Sequence, residues 1–170
     1  MKPLRLFGRE EANKPANATP KQYAPGTQLA YDPELPQRLQ QQHRNIETVL
    51  EEMLAAAEDG RYRQANNLLR DFRQQYEGHL YEKKQRFIPY LNHCLAGSDK
   101  HSTLTLKISA VSRQLEHRVM AAVRPYEQDG ISGDNHAHFS RELRDIQKDL
   151  LRHMQEKEQF IYPMYQPPQA

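Results

Sequence analysis

Residues 135–163 read NHAHFSRELRDIQKDLLRHMQEKEQFIYP. Phe139, Leu143, Ile146, Leu150, His153, Lys157 and Phe160 follow one another at alternating spacings of 4 and 3, and Met164 continues the series. That period draws one stripe along an α-helix starting near Asn135, and it is the most regular heptad pattern in the chain. A lone stripe has to be covered by others, and three more are present. Leu35, Leu39, His43, Ile46, Leu50, Met53 and Ala57 make the first, closed by Gly60. Ahead of it, YDPELPQRL at 31–39 reads as a helix start. Asp32 is placed to cap the first amides, and Pro33 or Pro36 sits in an opening turn where no internal bond is lost. A second helix runs from about Tyr62 with Ala65, Leu69, Phe72, Tyr76 and His79 on one face, and Pro89 kinks or ends it. The third, over roughly 101–127, has Ile108, Val111, Leu115, Val119 and Ala122 as its apolar row, with His117 beside that row. LAGSDKHST at 95–103, turning at Gly97 and Ser98, and EQDGISGDN at 127–135 are the breaks on either side of it. Four amphipathic helices with short connections predict an all-α fold, an up-down-up-down antiparallel four-helix bundle over residues 32–166. Residues 1–31 carry Pro3, Pro15, Pro20 and Pro25 without periodicity and are expected to form a flexible N-terminal arm.

Composition narrows the function classes. The chain has 170 residues, a formal net charge of +2, 27% charged residues and no Trp, with bases interleaved among acids. That balance argues against nucleic acid or an anionic membrane as the partner. The single cysteine, Cys94, excludes an internal disulfide framework. No apolar stretch approaches the ~18 residues of a membrane span, and the first residues lack the apolar core of a signal peptide. A cytoplasmic location is expected. No phosphate loop, HExxH, CxxC or nucleophile-base-acid set is visible, and neighbouring His93 and Cys94 diverge on a helix, so an enzyme is not expected. Tyr76, Tyr81, Tyr90, Tyr162 and Tyr165 are read as core or cap packing, and KKQR at 83–86 as a solvated face.

The end of the opening stretch is written twice. HLYEKKQRFIP at 79–89 and HMQEKEQFIYP at 153–163 each place Glu three residues, Lys four residues and Pro ten residues after a histidine. His43 precedes His79 by 36 residues, as His117 precedes His153, so the halves are related by an offset of 74. Each half is a helical hairpin with one histidine on each helix. Packed antiparallel, the two hairpins are expected to bring four histidines near one level of the core. Imidazole with carboxylate is ligand chemistry for iron or manganese, and bundle cores hold such pairs of ions between facing helices. The candidate metal ligands are His43, His79, Glu82, His117, His153 and Glu156. The competing reading is that each histidine is a satisfied core residue.

At these residues the chain resembles the hemerythrin-like, or HHE, bundle family over about residues 35–165. FIP and FIYP are similar to the family's ending of its second and fourth helices, and QQQHRNI and QLEHRVM are similar to its first and third. The resemblance implies a non-haem di-iron centre that binds oxygen, senses gas or redox state, or handles iron. It also implies a carboxylate four residues after each histidine of the second and fourth helices, where this chain has Lys83 and Lys157. An ammonium has three donors and no acceptor, so it cannot ligate iron. It would also repel each metal charge at 4 Å by about 4 kcal/mol at an effective dielectric of 20. This leaves two outcomes. Glu82 and Glu156, three residues from their histidines, rotate inward while the lysines snorkel to the rim, and iron stays. Alternatively the lysines face inward and replace the metal. Lys157 lies on the heptad and Glu156 about 100° off it, which favours replacement in the fourth helix. The first outcome makes the chain an iron-binding oxygen, nitric-oxide or redox sensor, or an iron-handling protein. The second makes it a metal-free regulatory module whose partner is another protein. YEGHLYE at 76–82 is also weakly similar to the regulator-of-sigma-D family, bundles that work in that second way.

Overall fold

The computed structural model describes the backbone of residues 21–96 and 99–168, and the side chains of 21–96 and 103–168. Among the described residues five α-helices carry the fold: α1 (Leu35–Glu58), α2 (Tyr62–Glu82), α3 (Ile88–Cys94), α4 (Asp99–Asp129) and α5 (His136–Glu156). One π-helical turn (Lys83–Phe87) joins α2 to α3, and a second (Lys157–Ile161) extends α5, with a closing 3₁₀ turn at Tyr162–Met164. The helices form the expected antiparallel bundle: α1 packs on α2 and α5, and α4 on α5 and α2. Among the described residues no helix is long and apolar enough to cross a membrane. The turn expected at Gly97 and Ser98 lies outside the described residues.

The chain reverses where local chemistry allows. Gly60 takes φ 75°, and Arg61 N–H closes back on the Ala56 carbonyl at 2.8 Å, terminating α1. Between α4 and α5, Gly130 takes φ 76°, and Asn66 of α2 ties the loop down. Its side chain accepts from Ile131 N–H at 2.8 Å and donates to the Ile131 carbonyl at 2.9 Å. Pro125 lies inside α4, which therefore runs past the position where a proline would usually stop it.

Of the two expectations for Pro89, that it kinks or ends the second helix, the structure excludes the second, because the helical path continues through a π turn into α3. A proline has no N–H and its ring crowds the carbonyl four residues back. Ahead of each proline the backbone shifts to bonds spanning five residues, from Ile88 N–H to the Lys83 carbonyl and from Tyr162 N–H to the Lys157 carbonyl. The extra residue rotates the side chains beyond it by about 100°. Phe160, predicted in the stripe, is 48% exposed, while Ile161 and Tyr162 are buried in its place.

Two apolar clusters result. The larger is built on Ile46, Leu50, Met53, Phe72, Tyr76, Val119, Phe139 and Leu143. The smaller, at the other end, contains Leu35, Leu39, Phe87, Tyr90, Ile161, Tyr162 and Tyr165. Residues 21–31 depart from the expected arm, because they fold onto this second cluster. A bridge pairs Tyr23 with Ala30, Ala24 is buried, and Tyr31 stacks on Tyr165 at 5.3 Å. The remainder of the expected arm, residues 1–20, lies outside the described residues. Asp32 does not cap α1 directly. It accepts from Glu34 N–H at 3.1 Å and holds Arg38 and Arg86 at 2.8 and 3.0 Å. Of the five tyrosines read as packing, Tyr81 is the exception at 69% exposed.

Candidate functional site

Between the two apolar clusters lies a polar layer. On α1, His43 sits between Leu39 and Ile46 in the buried stripe; α2 contributes His79 and α5 contributes His153. Lys83 and Lys157, the first residues of the two π turns, complete it. All five are nearly sealed from solvent, from 2% exposed for His79 to 6% for Lys157. The lysines therefore point inward, and the solvated face expected for KKQR begins only at Lys84.

The hydrogen bonds fix the imidazole tautomers. His43 Nδ1–H donates to Glu158 Oε1 at 2.6 Å, and its Nε2 accepts from the Tyr162 hydroxyl at 3.1 Å. His43 and His79 rings meet at 4.7 Å between centroids. His79 Nδ1–H donates to Gln42 Oε1 at 2.9 Å, and Gln42 Nε2 in turn donates to Glu82 Oε2 at 2.6 Å. His153 Nε2 stands 2.7 Å from Ser112 Oγ on α4. His79 Nε2 and His153 Nδ1 are buried without a partner. A buried lone pair costs less to leave unmet than a buried N–H, so His153 carries its proton on Nε2 and donates it to Ser112.

Burial governs the titration of this layer. It lowers His43 to about 2 and His153 to about 3, and it holds His79 well below the ordinary histidine range. The Lys157 charge is the next cause for all three. The three imidazoles are thus neutral at physiological pH. Burial also lowers Lys83 to about 8 and pushes Lys157 well down, with the charge of Lys83 adding to the effect on Lys157.

The structure assembles only part of the predicted ligand set. His43, His79 and His153 reach the core layer. His117 does not: it lies exposed on the outside of α4, along an open groove with Arg113, Arg118 and Glu156. The buried row of α4 runs through Leu115, Val119 and Ala122, and His117 is two residues from both Leu115 and Val119, on the far side of the helix. Ser112, three residues before Leu115, takes the inward position. Val111, predicted in that row, is 42% exposed. Glu82 remains outside the layer, bound to Arg38 at 2.9 Å and to Arg86 at 3.4 Å. Glu156 is 45% exposed, and its carboxylate comes no closer than 4.0 Å to His153 Nδ1. Sequence reasoning missed Gln42, Ser112 and Glu158, and it read Tyr162 as core or cap packing where the structure bonds its hydroxyl to His43. Ser112, Gln42 and Glu158 carry no local signature.

The hemerythrin HHE cation-binding domain matches residues 34–165. The chain belongs to the hemerythrin family. No curated protein and no solved structure matches it. The family is described as cation-binding.

The residues in this hemerythrin layer do not fit a pair of iron ions. Two free imidazole lone pairs, on His79 and His153, are what a metal would use. The carboxylates that would offset the metal charge are elsewhere, and Glu158 is engaged by His43. Two lysine amines occupy the layer instead. Among the described residues no group of three or more His, Cys, Asp or Glu side chains is arranged to hold a metal ion.

Proposed function

We propose that this hemerythrin-family chain is a metal-free bundle acting as a regulatory protein-binding module and not as an enzyme. The observation that carries the reading is the inward placement of Lys83 and Lys157, which substitutes two cationic side chains for the anionic ligands of a di-metal centre. Each ammonium present opposes a metal ion at short range by several kcal/mol. Leu106, 70% exposed, and Phe160, 48% exposed, are apolar side chains that a protein partner would cover.

The test is metal analysis after aerobic loading with ferrous iron, read beside the near-ultraviolet and visible spectrum. The parent chain is expected to hold iron far below one ion per chain and to show no charge-transfer band. The double variant K83E/K157E, which restores two carboxylates beside His43, His79 and His153, is expected to acquire both. Stoichiometric iron in the parent would overturn the reading. A double variant that takes up no more iron than the parent would show that the lysines are not what excludes it.

The second reading is a gas or redox sensor, or an iron-handling protein, built on bound iron. It is favoured by family membership and by the two unpartnered imidazole nitrogens. Stoichiometric iron in the parent would select it.

A further inference from the structure

Next to the histidine layer, a small cavity of about 30 Å³ opens between the two π turns and α4. Its polar lining is Lys83, Asn92, Thr105, Ser109, Ser112, Lys157 and Tyr162, and the rest is apolar, including Phe87, Ile108 and Ile161. Among the described residues no carboxylate lines it. Its volume is about two to three times what a single water requires. The lining is rich in donors: two lysine amines and the Ser109 and Ser112 hydroxyls, with Ser112 left free to donate because it accepts from His153 Nε2, while the Tyr162 hydroxyl is engaged by His43. Both lysines are more than nine-tenths buried. A buried ammonium needs a counter-charge or strong acceptors around it.

We propose that this cavity is a binding site for a small monovalent inorganic anion, of halide to nitrite size, held between the Lys83 and Lys157 ammonium groups and the Ser109 and Ser112 hydroxyls. The anion supplies negative charge within the cavity itself, since the Glu116 and Glu158 carboxylates that act on Lys83 and Lys157 lie outside its lining. Size excludes larger anions, since the apolar walls leave no room for a sulfate with its hydration. The inference rests on the metal-free reading of the same layer.

The experiment uses the full chain crystallised in sodium bromide, with anomalous scattering recorded at the bromine edge and at the iron edge. A bromine peak between the two lysine Nζ atoms is expected, with none at the iron edge. In parallel, the thermal unfolding midpoint at fixed ionic strength should rise with bromide concentration and stay constant when gluconate replaces it. In K83M/K157M, which keeps the volume of the side chains and removes both cations, the bromide-dependent shift should disappear. Density of water alone in the cavity, without a bromine peak, would overturn the anion site and leave the metal-free reading standing. A peak at the iron edge would overturn the metal-free reading instead. A bromide shift that persists unchanged in K83M/K157M would place anion binding elsewhere and also sink the proposal.

Discussion

Lys157 is the side chain on which the site turns. It is 6% exposed, in a layer that holds three neutral imidazoles and a second lysine, with the Glu158 carboxylate only partly offsetting the cost of burial. A cation in such surroundings is held against its own desolvation, so replacing it by an apolar side chain of similar length removes a cost. In gluconate buffer, where no halide fills the cavity, K157M is expected to raise the unfolding free energy in urea at pH 7 by about 1–4 kcal/mol, the range seen when buried ion pairs give way to well-packed apolar groups. A loss of stability in K157M would mean that the ammonium is well solvated by partners and that the layer is not frustrated. Individual residues of this layer were partly legible in the sequence. His43, His79 and His153 each sit in an apolar stripe, and Lys157 continues a heptad, so periodicity alone places them inside. His117 was misplaced because it matches His43 at the 74-residue offset, whereas its direction depends on the helical phase of α4. Glu82 and Glu156 were drawn toward the metal by spacing. Arg38 and Arg86, which bind Glu82 from other turns, could not be paired with it from sequence.

At the level of elements, the two π turns decide what the repeated segments do. Each begins at a buried lysine and ends before a proline, and each inserts one residue into an otherwise α-helical path. Without that residue, the stripe through His153 and Lys157 would bring Phe160 inward. With it, Ile161 and Tyr162 are inward, and Tyr162 reaches His43. Gln159 is exposed in the middle of the second π turn. Deleting it should convert the π turn to an α turn while keeping Ile161 and Tyr162 on the buried side. Helix content by circular dichroism should be retained, with unfolding free energy lowered by roughly 1 kcal/mol or less, near the scale of an ordinary surface change. Deleting Asp149 in α5 should be far more damaging, because Leu150, His153, Met154 and Lys157 would all rotate by about 100° away from the core. Equal damage from the two deletions would show that the extra residue is not accommodated by the π turn. The four long helices were readable because each has enough turns for its stripe to repeat. The π turns were not, since Pro89 and Pro163 signal a disturbance but not which way the backbone resolves it. The packing of residues 21–31 was hidden too, because it depends on Tyr90 and Tyr165, far away in sequence.

For the molecule as a whole, the buried layer sets an unusual dependence of stability on pH. In the folded chain His43 and His153 are lowered to about 2 and about 3, and His79 is lowered as well. Below pH ~6.5 the unfolded chain binds protons that the folded chain refuses, so stability falls on acidification. Each such histidine removes about 1.4 kcal/mol per pH unit, and three together roughly 4 kcal/mol per unit. Lysine acts in the same direction at the other end. Lys83 is lowered to about 8, so between pH 8 and the unfolded value of 10.5 the unfolded chain again holds the extra proton and stability rises with pH. That gain amounts to about 3 kcal/mol. It is opposed only once the buried tyrosines matter. Tyr76 and Tyr162 are raised above their ordinary value, so the folded chain keeps protons that the unfolded one loses above pH ~10. Glu158, raised by burial, opposes the histidine effect as one group against three. The expected optimum is therefore near pH ~9–10, above the pH 5–8 common for folded domains. Urea unfolding at a series of pH values should show a steep loss below pH ~6 and a continued rise from pH ~8 to ~10. In K83M the alkaline rise should shrink while the acid limb remains, because the histidines are untouched. A flat parent profile from pH 7 to 10 would mean that Lys83 keeps an ordinary proton affinity, and with it that the layer is better supplied with acceptors than its side chains alone provide.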